Sequence, residues 1–370
     1  MEDTAYIAGH LAFSERRTNI VPNWFSLLEF AGVRFSVRRD VCSHGRLQQE
    51  ILEIGWDRNS MGNQSSPEWQ SLSERLEFEE RPCPICKQHS GRPLHQRKIA
   101  SYDMSFWLCT NCDTIYAKKA LTAGSLHKVF NSKDFFSAGN PGGDNIDYYD
   151  FIGGERYLRK TARGRINRIK KFKPQGKLLE VASAAGFFLI ESKEAGFDTQ
   201  GVEISAPMAE YASQRWQVPV AGESIDTYEL SPGEYDVIAS WGVMTIVQDP
   251  LSVIRKFHQA LKPGGIWAFN TYYHDGLWHH MFGGRWIALA VQARQVFSSR
   301  GLIQIISREG FRLRSHRRDC PHTDFLKIAD QLAWNTGWRW LVPSLRATGL
   351  QDLVIRVPLP DVYEYIWEKE

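Results

Sequence analysis

Four short segments, in one order, constrain this chain more than anything else in it. They are Lys177-Leu-Leu-Glu-Val-Ala-Ser-Ala-Ala-Gly-Phe-Phe-Leu189, Gly201-Val-Glu-Ile-Ser205, Tyr235-Asp-Val-Ile-Ala-Ser240, and Leu261-Lys-Pro-Gly-Gly265 running into Ile-Trp-Ala-Phe. Each pairs an apolar, strand-like run with small or turn-forming residues, and helical patterns at about 186–196, 206–215 and 250–261 alternate with them. Such alternation marks crossover units around a mostly parallel sheet. Strands are expected at 177–182, 199–204, 217–221, 235–240, 265–271, 311–317 and 361–367, a seven-stranded α/β arrangement of Rossmann-like type.

The 370 residues, 43% of them apolar, can bury a real core in one large domain or in two to three modules. A formal charge of +3 is small for this length and gives little support to a nucleic-acid partner. Met1-Glu-Asp-Thr-Ala lacks the basic-then-apolar pattern of a secretory signal, and no apolar run reaches the 18 or so residues of a membrane span, so a cytoplasmic protein without a membrane partner is expected.

Residues 1–75 read as an N-terminal extension of unassigned fold, with a helix around Trp24–Phe30, a strand around Val33–Val37, a helix from Arg46 to Ile54 and a linker over 57–67. In residues 76–125 the texture changes to turns and paired cysteines. Cys83-Pro-Ile-Cys86 and Cys109-Thr-Asn-Cys112 have 22 residues between them, which is the pattern of two knuckles presenting four thiolates to a tetrahedral structural Zn2+ at about 2.3 Å. The other reading is two unrelated thiol pairs. Four sulfur ligands would leave the metal no open position, so its role would be folding or docking. Cys42 and Cys320 stand alone and are expected to be small buried side chains. Residues 126–370 form the α/β domain, introduced by a helix over Glu155–Lys171 with Tyr157, Leu158, Ala162, Ile166 and Ile169 near one side.

The turn after the first strand, Ala182-Ser-Ala-Ala-Gly186, lets backbone N–H groups and a helix N-terminus approach a polar ligand. Glu203, twenty-three residues beyond Glu180, is placed to accept bonds from ribose hydroxyls. From the residues alone three readings stay open: a dinucleotide, S-adenosylmethionine, or an α/β fold whose turn merely happens to be small. Alanine stands where a dinucleotide turn needs two glycines, and Glu180 would repel a pyrophosphate. Both observations favour S-adenosylmethionine.

Taken together the four segments resemble the class I S-adenosylmethionine-dependent methyltransferases. Over residues 83–370 the chain is similar to a subgroup with an N-terminal zinc ribbon that includes sugar C-methyltransferases and natural-product enzymes. The resemblance implies cofactor contacts from Glu180, Ala182, Ala184, Gly186 and Phe187 in the first motif, from Glu203 and Ile204, from Ser224 and Ile225 in the turn Ala221–Ile225, and from Trp241. It also implies a lid over the methionine end at Asp147, Tyr148 and Tyr149. Gly283-Gly-Arg-Trp286, Phe297-Ser298 and Glu309-Gly-Phe311 fit the late part of the subgroup.

Two departures stand out. Only Gly186 survives of three expected glycines, and alanine at 182 and 184 is expected to keep a negative φ at modest cost. The histidine and the Glu-His pair of the sugar C-methyltransferases are Ile246 and Gln292-Ala293 here. Acid–base candidates beyond the strand ends are His274, Asp275, His279 and His280, with Asp275 oriented to support His274 if the two converge. Tyr272 and Tyr273 are candidate walls for an acceptor. Trp334, Trp338 and Trp340 are expected to pack a late helix.

Ten Lys or Arg residues fall between Arg156 and Lys177 with no acid among them. They read as a solvated helix face, as a patch for a phosphorylated or carrier-bound substrate, or as an RNA-facing surface, which lacks interleaved aromatics. The expected activity is methyl transfer from S-adenosylmethionine to an oxygen or nitrogen of a small molecule in natural-product biosynthesis. The alternatives are sugar C-methylation, RNA methylation and a non-catalytic scaffold. A homodimer is compatible with all of these.

Overall fold

The computed structural model describes residues 34–41, 47–55, 74–99, 102–132, 152–286, 288–325, 353–359 and 361–370. The chain divides into two compact units, residues 1–62 with 329–343 and residues 63–328 with 344–370. In the first, strand β1 (Arg34–Val41) pairs antiparallel with β2 (Leu47–Gly55). The helix expected from Arg46 to Ile54 is therefore a strand. Phe35 lies opposite Ile54 and Val37 opposite Leu52, a pairing that overrides the modest helix preference of this segment.

The second unit begins with β3 (Phe78–Glu80), β4 (Gly91–Ile99), β5 (Tyr102–Cys109), β6 (Thr114–Ala117) and β7 (Lys119–Leu121), followed by helix α1 (Ala123–Phe130). Helix α2 (Glu155–Ile169) leads into β8 (Gly176–Val181), α3 (Phe187–Glu194), β9 (Phe197–Val202), α4 (Ala206–Trp216) and β10 (Val220–Ala221). Then come β11 (Tyr235–Trp241), α5 (Pro250–Ala260), β12 (Leu261–Tyr272), α6 (Leu277–Phe282), β13 (Gln295–Phe297), α7 (Ser299–Arg308), β14 (Phe311–Arg318), β15 (His322–Asp324), β16 (Val354–Arg356) and β17 (Val362–Lys369).

Seven strands form one sheet in the order β10-β9-β8-β11-β12-β17-β14, parallel from β10 to β12, with β17 antiparallel between β12 and β14. From β8 the chain builds outward through β9 and β10, then returns to place β11 on the other side. That switch point opens a crevice beyond the carboxyl ends of β8 and β11. Because successive strand residues face opposite sides, Leu178, Val237, Ala239, Ala268 and Ile366 pack towards α2. Leu179, Ile238, Trp267, Phe269 and Tyr365 pack on the other face, where α5 and α7 contribute Val253, Phe257, Leu302 and Ile306. Trp267 and Phe269 stack at 4.1 Å on that face. Helix α5 starts at Pro250 because the Asp249 carboxylate accepts the Ser252 N–H and proline needs no partner there.

The cysteine-bearing strands do not stand apart from this core. β6 pairs with β5 on one side and with β13 on the other, in a four-stranded sheet of order β13-β6-β5-β4. Cys83, Cys109 and Tyr116 belong to the same apolar cluster as Trp267 and Phe297. No helix among the described residues is long and apolar enough to cross a membrane.

Candidate functional site

The small-residue turn lies at the switch point. The Ala182 N–H donates to the Val202 carbonyl at 2.7 Å, and the Gly186 N–H to the Ser183 carbonyl at 2.8 Å. Ala182 has φ +58° and Ala184 φ +45°, so both alanines adopt the left-handed conformation that glycine favours. The expectation of a negative φ is corrected: the turn keeps its glycine shape and the methyl groups bear the strain, on the order of 1–2 kcal/mol per residue. Gly186 has φ +77°, and a Cβ there would lie 2.8 Å from Trp216 Cδ1 and 2.9 Å from Ala212 Cβ. The Trp216 indole N–H donates to the Ala185 carbonyl at 2.8 Å, so helix α4 closes tightly on the turn.

Two carboxyl groups meet this turn. Glu203 is 3% exposed and accepts the Ala184 N–H at 2.8 Å and the Ser205 N–H at 2.9 Å. Burial raises its pKa above the usual carboxylate value, and the two N–H donors act against that rise. Glu180 is equally buried, and its Oε2 has no hydrogen-bond partner among the described residues. Burial holds its carboxyl well above the ordinary range; the Arg165 guanidinium opposes this and the Glu203 charge adds to it. A buried carboxyl oxygen without a donor, near the turn where a cofactor's polar groups would lie, suits a polar ligand.

Beside the turn a shallow cleft, open to solvent, is lined by Ala182, Ile204, Ser224, Ile225, Val243 and Ile246, and by Phe130 of α1. Ala182, Ile204, Ser224 and Ile225 are thus brought together at one cavity. Phe187, at the start of α3, is buried and packs edge-on against Trp216 at 6.0 Å. Trp241 lies on the α2 side of the sheet, its ring under the Arg165 guanidinium at 4.1 Å. Asp147, Tyr148, Tyr149, Trp334, Trp338 and Trp340 lie outside the described residues.

The residues expected to do acid–base work separate. The His274 Nε2–H donates to the Asp113 carbonyl at 2.8 Å, while Asp275 accepts the Ser299 N–H at 3.0 Å and the Ser299 hydroxyl at 2.5 Å at the start of α7. The expected convergence of His274 and Asp275 is therefore corrected: each side chain has its own partner on a different element. The His279 Nδ1–H donates to the His274 carbonyl, which leaves Nε2 as the acceptor for the His95 Nε2–H at 2.9 Å. Burial holds both His95 and His279 below the usual histidine range, so both rings are neutral near pH 7. His280 is exposed and bonds back to the Gly276 carbonyl at 2.6 Å. Tyr272 is half-buried at the end of β12, edge-on to Trp286 at 5.7 Å, and Tyr273 is buried against Tyr363 and Tyr365.

His95 and Asp361 escaped the sequence reading. His95 sits on β4, some 180 residues from its partner, and Asp361 accepts the His279 backbone N–H at 2.8 Å. The one local trace is Gly283-Gly284: a Cβ at Gly284 would lie 3.3 Å from His95 Cβ. Where relatives are expected to carry a histidine and a Glu-His pair, Ile246 lines the cleft, and Gln292 and Ala293 are buried.

The four thiols converge. Cys83 and Cys112 sulfurs lie 3.4 Å apart, Cys86 and Cys109 3.5 Å, and all four are within 4.8 Å of one another. A disulfide would need about 2.05 Å, whereas a tetrahedral ion with 2.3 Å bonds to sulfur sets its ligands about 3.8 Å apart. The geometry fits a metal. The two knuckles repeat one shape: Lys87 and Asp113 are left-handed, with φ +56° and +53°, and their N–H groups donate to the Cys83 and Cys109 carbonyls. Cys320, expected to be buried, is partly exposed.

The basic helix α2 is mostly spoken for. Arg159 and Arg163 reach Glu191 at 2.5 and 2.7 Å, Arg165 reaches Asp319 and Glu364 at 3.0 and 3.2 Å, and Arg168 reaches Glu364 at 2.5 Å. Arg156 pairs with Asp324 and Lys177 with Glu234. Asp319, Glu191 and Glu364 are buried carboxylates, so most of these arginines hold the helix to the sheet. The patch is neither the simple solvated face nor the free cationic track that the run of basic residues suggests.

Residues 155–316 match a family model described as a methyltransferase domain. With the strand order and the turn geometry, this match supports S-adenosylmethionine-dependent methyltransferase activity on a Rossmann-like fold. No curated protein matches the chain. Among solved structures, an S-adenosylmethionine-dependent methyltransferase from Mesorhizobium loti is 19% identical over 57% of this chain and 100% of its own, with a TM-score of 0.41. One from Leishmania major is 14% identical over 66% and 82%, with a TM-score of 0.43. The geranyl diphosphate C-methyltransferase of Streptomyces coelicolor is 12% identical over 57% and 76%, with a TM-score of 0.41. The fold assignment rests on the strand order and not on these likenesses.

Proposed function

We propose that this methyltransferase domain acts on an oxygen or nitrogen nucleophile of a small molecule in natural-product biosynthesis, with a structural zinc ion held by Cys83, Cys86, Cys109 and Cys112. The observation that carries the acceptor reading is the apolar and amide character of the positions where sugar C-methylation is expected to need acid–base groups. Ile246 is a hydrocarbon wall of the cleft, and Gln292 and Ala293 are buried side chains that do not exchange protons. Methylation of a carbon beside a carbonyl needs a base that removes its C–H proton, whereas an amine or hydroxyl carries its own lone pair.

S-adenosylmethionine would supply a methyl group on a sulfonium, whose carbon–sulfur bond breaks as the new bond forms. The chain's part is to position and desolvate. The Glu203 carboxylate, fixed by two backbone N–H donors, retains lone pairs for ribose hydroxyls. Ile204, Ser224, Ile225 and Val243 would line the place of the adenine, and the unpartnered Glu180 oxygen would accept from the amino-acid end. Of the imidazoles, His279 is the base candidate: its ring is neutral near pH 7, the proton on Nδ1 is fixed by the His274 carbonyl, and Nε2 would exchange its bond from His95 for the acceptor's proton. Tyr272 at the end of β12 is the candidate wall for the acceptor.

The acid partners of α2 weigh against RNA, since a helix whose arginines are paired with buried carboxylates has few charges left for phosphates. The division into an extension (1–75), a zinc ribbon (76–125) and a transferase domain (126–370) belongs to the same proposal. Isotopically methyl-labelled cofactor incubated with small-molecule extracts of the source cells tests the acceptor. A labelled product whose methyl resonance is that of an ether or amine supports it, and one bonded to carbon refutes it.

A further inference from the structure

A single imidazole joins the cysteine cluster to the edge of the sheet where an acceptor would sit. His274 is 8% exposed and follows directly on β12. Its backbone N–H donates to the Phe297 carbonyl at 3.0 Å, and Phe297 belongs to β13, the strand paired with β6 immediately after the second knuckle. Its Nε2–H donates to the carbonyl of Asp113, the left-handed residue directly after Cys112. The direction of that carbonyl is set by the knuckle itself, through the Asp113 N–H bond to the Cys109 carbonyl at 3.1 Å. From His274 the path continues through its own carbonyl to His279 and from His279 to His95 on β4. It therefore leaves the cysteine sheet at Asp113 and returns to it at His95, enclosing the segment that carries α6.

Among the described residues the cofactor turn makes no bond of this kind. Its hydrogen bonds run to Val202 at the end of β9, to Glu203 just beyond it and to Trp216 of α4. With Nε2–H committed to the Asp113 carbonyl, His274 cannot accept a proton at that atom.

We propose that His274 is a positioning residue that couples the metal state of the cysteine cluster to the order of the acceptor-side segment Tyr273–Phe282, leaving the cofactor turn independent of the metal. This rests on the reading of the four thiols as a metal site. A metal ion fixes the knuckle, the knuckle aims the Asp113 carbonyl, and the imidazole transmits that position to the loop. The same bond works in reverse, so removing the imidazole should loosen the knuckle and speed metal loss.

The test uses the full chain as purified with its metal, together with His274→Ala and His274→Gln, because the glutamine amide can place an N–H close to Nε2. Metal release into pyridylazoresorcinol should be about tenfold faster in the alanine variant, as befits loss of one part-buried hydrogen bond, and restored by glutamine. Chelator-treated wild type, read by amide hydrogen exchange, should lose protection over 273–282 and keep it over 182–205. S-adenosylhomocysteine should bind all forms with the same affinity by calorimetry. Equal release rates in the three proteins, a glutamine variant no better than alanine, or protection lost alike in both segments would overturn the proposal, as would a purified chain without metal. If the alanine variant does not accumulate, the exchange experiment on wild type decides. Absence of S-adenosylhomocysteine binding in metal-loaded wild type would instead strike at the transferase reading, so the two failures are distinguishable.

Discussion

The two ends of the proposed crevice are built in opposite ways. At the cofactor end, one contiguous turn, Ala182–Gly186, and one acidic residue, Glu203, bring their own geometry and find their partners on neighbouring parallel strands. At the proposed acceptor end no contiguous segment suffices: His95, Asp113, Ser299 and Asp361 come from four separate places and hold the one segment that carries His274, Asp275 and His279. A site made of local backbone shape survives changes of side chain if the dihedral angles are kept. A site made of long-range hydrogen bonds depends on every element that carries a partner, and here one of those elements is a cysteine cluster.

The contrast can be broken most forcefully at the metal. Cys83→Ser and Cys109→Ser are expected to drop metal content from about one ion per chain to background and to remove several kcal/mol of stability, because a structural ion's binding energy is folding energy. Elemental analysis and thermal unfolding read both effects. Unchanged metal content would show that the thiols merely cluster.

Next in size is the ion network under the sheet. Arg165→Met would strand Asp319 as a buried charge and take one of its arginines from Glu364, which keeps Arg168, at a cost of about 3–5 kcal/mol in denaturant unfolding. Lys171→Glu, at an exposed position on the same basic run, should change stability by less than about 0.5 kcal/mol. Equal effects would return α2 to the status of a solvated basic face.

Smaller and opposite in sign are changes in the turn. Ala182→Gly and Ala184→Gly relieve left-handed strain but add backbone freedom to the unfolded chain, for a net gain of up to about 1 kcal/mol each. Gly186→Ala should instead cost about 2–3 kcal/mol, since it combines a left-handed φ with the approach of Trp216. A loss of stability in the two alanine-to-glycine variants would contradict the strained turn.

The smallest expected effect is the pH dependence of the His95–His279 pair. Both rings are held below the usual histidine value by burial, so the unfolded chain binds protons first as the pH falls through about 6.5. Their contribution is full above that value and is lost progressively towards the depressed folded values. His279→Gln should flatten this part of the stability–pH curve relative to wild type, and parallel curves would remove the pair from the account.

Most of the sheet was legible because its signals are local. The strand expected at 235–240 is β11 (Tyr235–Trp241), and the helix expected over 250–261 is α5 (Pro250–Ala260), announced by Asp249-Pro250. The thiol convergence followed from spacing alone. Three things were not legible. The Arg46–Ile54 segment has helical composition, but its partner strand decides its state. The dihedral angles of Ala182 and Ala184 are imposed by the Val202 carbonyl and the Glu203 carboxylate, not by alanine's preference. The fate of His274 and Asp275 turned on Asp113 and Ser299, residues with no sequence mark linking them to the strand end.

Calorimetric titration of the metal-loaded chain with S-adenosylhomocysteine tests the transferase reading most directly. Saturable binding at low micromolar concentration, weakened at least tenfold in Glu203→Ala as expected for loss of a charged hydrogen-bond acceptor, is the predicted result. No heat and no thermal shift at millimolar ligand would contradict it.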